Sequence, residues 1–598
     1  MSKKQKNLLP IDYTHREFSS IQEDLLEIAE RFYPDSFQDF SEASFGSLMI
    51  DAVAYVGDQL SFYLDYNVNE SFLDTAYQYS NVVRHGRALG YKFEGRPSTY
   101  GTLAMFILVP ASTTGIGPDT DYLPILKRGS SFSSANGLSF VLTENIDFSN
   151  PRNLFVAARN DSTTGAPTFY AVKAYGNVVS GQFGQEQIEV GSYERFKRIA
   201  LQTENISEII SVVDADGNEY FEVDYLAQDV VFKEVTNPNF KLDNVPSIIK
   251  PLLVSRKYIT QFERNQVILQ FGSGKFNESD VVANPQSVAV NVFGKNYVNL
   301  PTFDPSRLSE NESFGIVPTN TTLTVTFRTT NGINSNVSVG SLNSVSAGLF
   351  EFVNQQDLVG SKVASIRSSL EVSNEEVISG DVSLPTTNEI KQRIYDTFPT
   401  QNRAVTQADY ENICYRMPAK FGSIKRVSVQ KDADSQKRNL NMYVVSEDTS
   451  GKLTETNSTI KNNLKTWVNQ YRMINDTVDI LDPFILNFGI EFVVRPQTSS
   501  DKFIVLDNCI EALQEHYKQP FFIGEPLYIS DIYKVLKDVV GVLDVLKVKV
   551  FSNSGGQYST SSLDFDENIS SDGSYLAVPN NAILELKFPE IDIVGKLK

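Results

Sequence analysis

Three histidines, two cysteines and two turn segments are the residues of this 598-residue chain whose type and spacing could do chemistry. His15, His85 and His516 stand far apart, and none lies at ligand spacing from another histidine or a cysteine, so no local zinc site is written in the sequence. Cys414 and Cys509 are equally isolated. They suggest no disulfide framework and are expected as two buried thiols. A serine or cysteine triad needs a base oriented by an acid, and no GxSxG elbow supports one.

The turn FGSGKF (271–276) has the flavour of a phosphate loop, but a Walker motif needs glycine at Leu269 and a hydroxyl residue at Phe276. A tight turn after a buried strand, with glycine supplying positive φ, is the expected reading. The run DADGNEYFEVDY (214–225) resembles a calcium loop at Asp214, Asp216 and Asn218. Glu219 stands where such a loop needs glycine and Tyr225 where it needs a bidentate glutamate, so a hairpin is expected instead. Asp51, Asp58 and Asp65 recur every seven residues. At about 1.5 Å rise per residue they lie about 10 Å apart on one helix face, too far to share a metal or a proton. They are expected to form a solvated or partner-facing stripe that sets register in a helical bundle. Paired carboxylates could serve glycoside hydrolysis, but no pair stands out among 73 acidic residues. The sequence thus assigns no catalytic, cofactor-binding or metal-ligating residue, and the chain is expected to be no enzyme and to need no cofactor.

The elements carrying these residues change character along the chain. Residues 39–64, DFSEASFGSLMIDAVAYVGDQLSFYL, form an apolar helix pattern entered through a polar turn. Such a helix cannot face water all round. It is preceded by a helix with Ser20 as expected N-cap and Glu23 in the capping-box position, its face marked by Ile21, Leu25, Ile28 and Phe32. A third helix, about 75–89, ends at Gly90. From Ser98 short strands follow, with Leu103–Val109, a hairpin at Asp216-Gly217, a strand before the 272–274 turn, and Thr322–Thr329. After about 396 the pattern mixes a helix capped by Thr406, strands near 424–429, 440–445, 478–481 and 485–494, and a helix bearing Ile460, Leu464, Trp467 and Tyr471. A stripe of Phe503, Leu506, Ile510, Leu513 and Tyr517 follows, then a helix near 530–540 and strands near 543–551 and 582–588. The expected fold class is multidomain α+β: an N-terminal helical bundle segment, β-rich middle domains and C-terminal mixed α/β domains. The expected divisions are 1–97, 98–275, 276–395, 396–500 and 501–598.

Composition narrows the function classes. The 53 basic and 73 acidic residues leave a net charge of −20, which opposes phosphate-backbone binding. No run of about twenty apolar residues and no signal-peptide pattern occurs, so neither nucleic acid nor membrane insertion is expected.

The run DYTHREFSSIQEDLLEIAERFYPDSFQDFSEASFGSLMIDAVAYVGDQLSFYLD (12–65), continued by NESFL (69–73) and VVRHGRALGYK (82–92), resembles the signature of baseplate wedge proteins of the baseplate J-like family. A second block, Glu222-Val223, Leu226 and LQFGSG (269–274), is similar to that family's core. A third, RAVTQADYENICYRMPAKFGSIKRVSV (403–429), carries its Arg-Ala-Val-Thr-x-x-Asp-Tyr pattern. The chain departs from the family at NGINSNV (331–337) and SGD (379–381), while ILELKFPEIDI (583–593) looks more like the large wedge proteins of contractile phages.

The resemblance implies a structural subunit of a contractile-tail baseplate wedge, located in the virion's tail baseplate and assembled in the bacterial host cytoplasm. It implies that two copies join a larger wedge protein through the N-terminal helical bundle. C-terminal contacts, placed in residues 403–551, link wedges into a ring around the hub, next to other wedge and sheath-proximal proteins. The ring rearranges when the sheath contracts. Phe45, Leu48, Ala52, Tyr55 and Leu60 are the expected interface residues. The alternatives are a baseplate subunit of a bacterial contractile injection system and a tail-associated protein that binds or depolymerises polysaccharide.

Overall fold

The computed structural model describes residues 17–32, 44–92, 97–112, 117–163, 165–237, 247–263, 266–275, 314–330, 335–353, 355–383, 385–432, 439–497 and 501–598. His15, Phe276, segment 276–313 of the expected second β-rich region, and parts of the motif runs at 12–16, 33–43 and 331–334 lie outside the described residues. The longer helices are α1 (Phe18–Phe32), α2 (Phe45–Glu70), α3 (Tyr79–Ala88), α4 (Gly360–Ser368), α5 (Thr387–Thr400), α6 (Gln407–Tyr415), α7 (Ser458–Val468), α8 (Lys502–His516) and α9 (Ile529–Asp538). The fold class is as expected: helices first, a β-rich middle, and a mixed α/β C-terminal region.

The chain forms two compact units. The first joins residues 1–93 to 385–399, so α5 belongs with the N-terminal helices although it follows the β-rich region in sequence. Its core is small: Leu73, Ala76, Val82 and Tyr91 close on Ile390 and Ile394 of α5. At Gly86 of α3 an added Cβ would lie 2.8 Å from the end of Ile394, so glycine lets the two helices approach. The Asp74 carbonyl accepts from Lys391 Nζ at 2.8 Å, and its carboxylate accepts from the Tyr395 hydroxyl. The expected cap at Ser20 is corrected. Helix α1 begins at Phe18, which leaves Ser20 inside the first turn, its hydroxyl donating back to the Glu17 carbonyl at 2.9 Å.

The second unit, residues 94–384 and 400–598, holds the sheets. A seven-stranded sheet is built on the antiparallel pair Tyr100–Pro110 and Pro167–Ser180, with α4 against the first of these strands. Phe132, Phe140, Val172, Ile366 and Ile378 are among its buried core residues. A second seven-stranded sheet includes 182–190, 321–329, 206–213 and the hairpin partner 219–222. Along Thr321–Thr329, Leu323, Val325 and Phe327 are buried while Thr324 and Thr326 are half-buried, the alternation of a strand that packs on one face. Near this sheet Arg328 is fully buried: its Nε donates to Glu208 Oε1 at 2.8 Å and its Nη1 to the Ser180 carbonyl at 2.6 Å. Ser98 and Ser207 hydroxyls take further bonds, so this interior charge is paired and each of its three nitrogens has an acceptor.

Two α/β layers complete the unit. Strands 426–431, 439–447, 453–455 and 477–481 form one sheet, with Tyr410 and Ile413 of α6 and Ile460 and Leu464 of α7 in its core. Strand 484–496 is central to the last sheet, antiparallel to 542–553 and parallel to both 582–585 and 593–597. Helices α8 and α9 supply its apolar cover, and the expected α8 stripe is partly corrected. Val505, Cys509 and Leu513 are the buried residues and Phe503 is 75% exposed. The run FIVL (503–506) is apolar on more than one side, so its spacing alone leaves the helix's rotation open.

Candidate interaction surface

Several of the described residues singled out by type and spacing make structural contacts. Asp214 Oδ1 accepts the backbone N–H groups of Asp216 and Asn218 at 3.1 and 2.8 Å, closing the hairpin turn in which Gly217 has φ +83°. Gly272 corrects the expected reason for its turn: a Cβ there would lie 1.8 Å from the Phe314 carbonyl oxygen, while its φ is not positive. Close backbone approach, and not left-handed backbone, requires glycine at that point. The Cys414 Sγ lies 3.4 Å from Met442 Sδ in the core, and burial pushes its thiol far up. Burial also raises Cys509 to about 11. His85 contacts the Glu70 carbonyl through Nε2 at 2.8 Å, and His516 is exposed, its ring edge-on to Tyr517. Among the described residues no group of three His, Cys, Asp or Glu is placed to hold a metal. No described helix is long and apolar enough to cross a membrane.

Helix α2 leaves most of its apolar surface uncovered by the described residues of its own chain. It spans 26 residues, about 39 Å at 1.5 Å per residue. Ser44 caps it, accepting from the Ser47 N–H at 3.0 Å. Only Ser47, Ala54 and Glu70 along its length are buried. Helix α1 packs on the side of Ala54 and Gly57, where a Cβ on Gly57 would stand 3.2 Å from Ile21 Cδ1. Gln22 Nε2 donates to Asp51 Oδ1 at 2.5 Å across the same contact. At about 100° per residue Asp51, Asp58 and Asp65 all fall on this α1-facing side. The aspartate stripe is therefore a seam along the α1–α2 boundary, and its first member is bonded within the chain.

The opposite side of α2 is apolar and open. Phe45 is 76% exposed and Leu60 59%, and Leu48, Ala52 and Tyr55 are exposed with them. These five share one arc. Met49, Val53, Val56, Phe62, Tyr63 and Leu64 extend it to roughly 200° of the helix circumference, twice the width of an ordinary core-facing stripe. Five of these residues were expected at an interface, and the others were expected to be covered as part of the same apolar helix.

A second exposed apolar element went unnoticed in the sequence. Among the described residues strands Val230–Thr236 and Ser247–Leu253 pair only with each other, and Phe232, Ile249 and Leu253 stand exposed on one face. At its base the buried Lys257 Nζ donates to Asp229 Oδ1 at 2.6 Å and to the Gln228 carbonyl at 2.8 Å.

The Arg-Ala-Val-Thr-x-x-Asp-Tyr segment is a helix start. Thr406 Oγ1 accepts from the Asp409 N–H at 3.2 Å and Asp409 Oδ2 accepts from the Thr406 N–H at 2.8 Å, a complete capping box. Burial works to raise the Asp409 pKa, but the Thr406, Val405 and Thr400 donors more than offset it and hold the carboxyl below its usual value. Tyr410 donates to Asp476 Oδ2 at 2.8 Å from the core, and burial raises its phenol to about 12.

No curated protein matches the chain at a significant level. Among solved structures, a chain of the anti-feeding prophage baseplate aligns over 96% of this chain and 90% of its own length at 10% identity and a TM-score of 0.24. A chain of the type VI secretion TssK-TssF-TssG baseplate subcomplex aligns over 72% of this chain and 95% of its own length, at 10% identity and a TM-score of 0.23. At those scores neither likeness carries an argument about this chain. The family comparison is local and covers the three helices just described: residues 14–88 match the N-terminal domain of bacteriophage baseplate proteins.

Proposed function

We propose that this chain is a structural subunit of a contractile-tail baseplate wedge and has no catalytic activity. Two copies join a larger wedge protein through the N-terminal helices. Contacts from residues 403–551 tie wedges into a ring that rearranges on sheath contraction. The observation that carries the reading is the open apolar arc of α2, which lies within the segment that matches the phage baseplate family. Burying a leucine side chain contributes about 1.5–3 kcal/mol, so a helix displaying this many apolar residues gains by acquiring neighbours. An arc of roughly 200° is wide enough for two helices on separate flanks, which fits one further copy and one different chain.

The test is co-expression with the products of neighbouring genes, followed by native mass measurement and electron microscopy. Discrete complexes containing two copies of this chain are expected. Leu48→Glu and Leu60→Glu, both on the open arc, are expected to weaken partner capture on the order of tenfold or more each while leaving the chain's own melting unchanged. Unchanged capture by both variants would sink the reading.

A further inference from the structure

Along its body the main packing partner of α2 among the described elements is α1, and a second fixture lies at its C-terminal end. That fixture is at its last residue. Glu70 is 8% exposed, and its Oε1 accepts the backbone N–H groups of Tyr77 at 2.8 Å and Gln78 at 3.2 Å. Its Oε2 accepts from Asn81 Nδ2 at 2.8 Å. Gln78 is the N-cap residue of α3 and gives that helix no side-chain cap; the Glu70 carboxylate instead takes the backbone N–H of Gln78 itself and the Asn81 side chain, placing a negative charge at the positive end of α3. The bond is returned: the Glu70 carbonyl, in the last turn of α2, meets His85 Nε2 of α3 at 2.8 Å. Each helix therefore bonds the other. Helix α3 in turn is seated on α5 through Val82, Gly86 and Ile394.

We propose that Glu70 is the positioning residue of the docking helix: its carboxylate locks α2 to the α3–α5 pair and so sets the direction in which the apolar arc is presented. This rests on the docking role of α2 proposed above. A carboxylate is the side chain suited to the task, because it alone offers two acceptor oxygens to three converging donors with no hydrogen of its own. Glutamine would turn an N–H group either on Asn81 Nδ2 or on the Tyr77 and Gln78 N–H groups together, and alanine would leave all three donors unmet.

The experiment uses the full chain with spin labels at Asn67→Cys on α2 and Arg84→Cys on α3, both exposed sites, while the native Cys414 and Cys509 are buried. Electron–electron distance measurement is expected to give one narrow distribution for Glu70 and a distribution at least twice as wide for Glu70→Ala and Glu70→Gln. Helical circular dichroism should stay the same. The same variants, without labels, should capture a co-expressed partner on the order of tenfold less well. His85→Ala removes the returned bond without touching the carboxylate, and broadening there supports the reciprocal bonding even if Glu70→Ala does not fold. A narrow distribution in Glu70→Gln overturns the lock, and a broad one with undiminished capture overturns the positioning role. The distance measurement needs no partner. Absence of capture by the parent chain with the lock intact would therefore count against docking and not against the anchor.

Discussion

At the scale of single residues, the motifs are there for geometry. Thr406 and Asp409 satisfy the first N–H groups of α6 from both directions, and Asp409 also takes the Thr400 hydroxyl at 3.1 Å. Thr406→Ala is expected to destabilise the second unit by about 1 kcal/mol, the usual worth of such a cap, read from the midpoint of chemical denaturation. A capping box is a local code, since all its partners lie within three residues, and this one was legible in the sequence. Gly272 was legible as a turn residue, but its reason was not, because the Phe314 carbonyl that excludes a Cβ comes from a distant segment. Arg328 gave no signal at all. Its partners Ser98, Ser180, Ser207 and Glu208 are scattered over the sequence and meet only after the sheets have formed.

At the scale of elements, α2 is the informative case. Its apolar character was plain from composition, but the helix runs from Phe45 to Glu70, starting and ending six residues later than the expected segment 39–64. Which side α1 takes was not plain: of the aspartates expected as a solvated or partner-facing stripe, Asp51 is bonded to Gln22 of α1 while Asp65 is exposed. The α2–α3 corner also carries a pH dependence. Asn81's side-chain bond, opposed by burial and aided by the Tyr77 and Gln78 N–H groups and Lys391, holds the Glu70 carboxyl below its usual value. A group with a lowered folded-state pKa contributes its stability above the unfolded value, about 4.3, and loses it as pH falls through the folded value. The corner should therefore be constant from neutrality down to about pH 5 and loosen below it. Hydrogen exchange of the Tyr77 and Gln78 amides is the measurement: after correction for the intrinsic rate, their protection should fall with acid in the parent chain and start low in Glu70→Gln. Equal pH profiles in the two would contradict the assignment.

At the scale of the whole molecule, the first unit is discontinuous in sequence. Its core closes only when Ile390 and Ile394 arrive from residues 385–399. Ile394→Ala is expected to cost about 2–5 kcal/mol in this unit, because the side chain is fully buried against a glycine that leaves no atoms to fill the void. Limited proteolysis is the check: cleavage near α3 should accelerate while the sheets of the second unit stay protected. The region from 276 to 395 read as strands with loop-rich connections, yet α4 lies inside it and α5 begins there. Both helices were missed because their buried apolar positions are few, Val363 and Ile366 in one and Ile390 and Ile394 in the other.

What the sequence determined by itself is whatever short-range chemistry controls: the capped start at Thr406, the hairpin at Asp216-Gly217, the alternating strand at 321–329 and the excess apolar surface of α2. These follow from hydrogen bonds within a few residues and from periodicity along one element. The tertiary structure decided which face of α2 stays open, which distant helix completes the first core, and that Glu70 joins the end of one helix to the start of the other. Those outcomes depend on contacts between segments far apart in sequence, and apolar spacing says that a residue will be covered without saying by what.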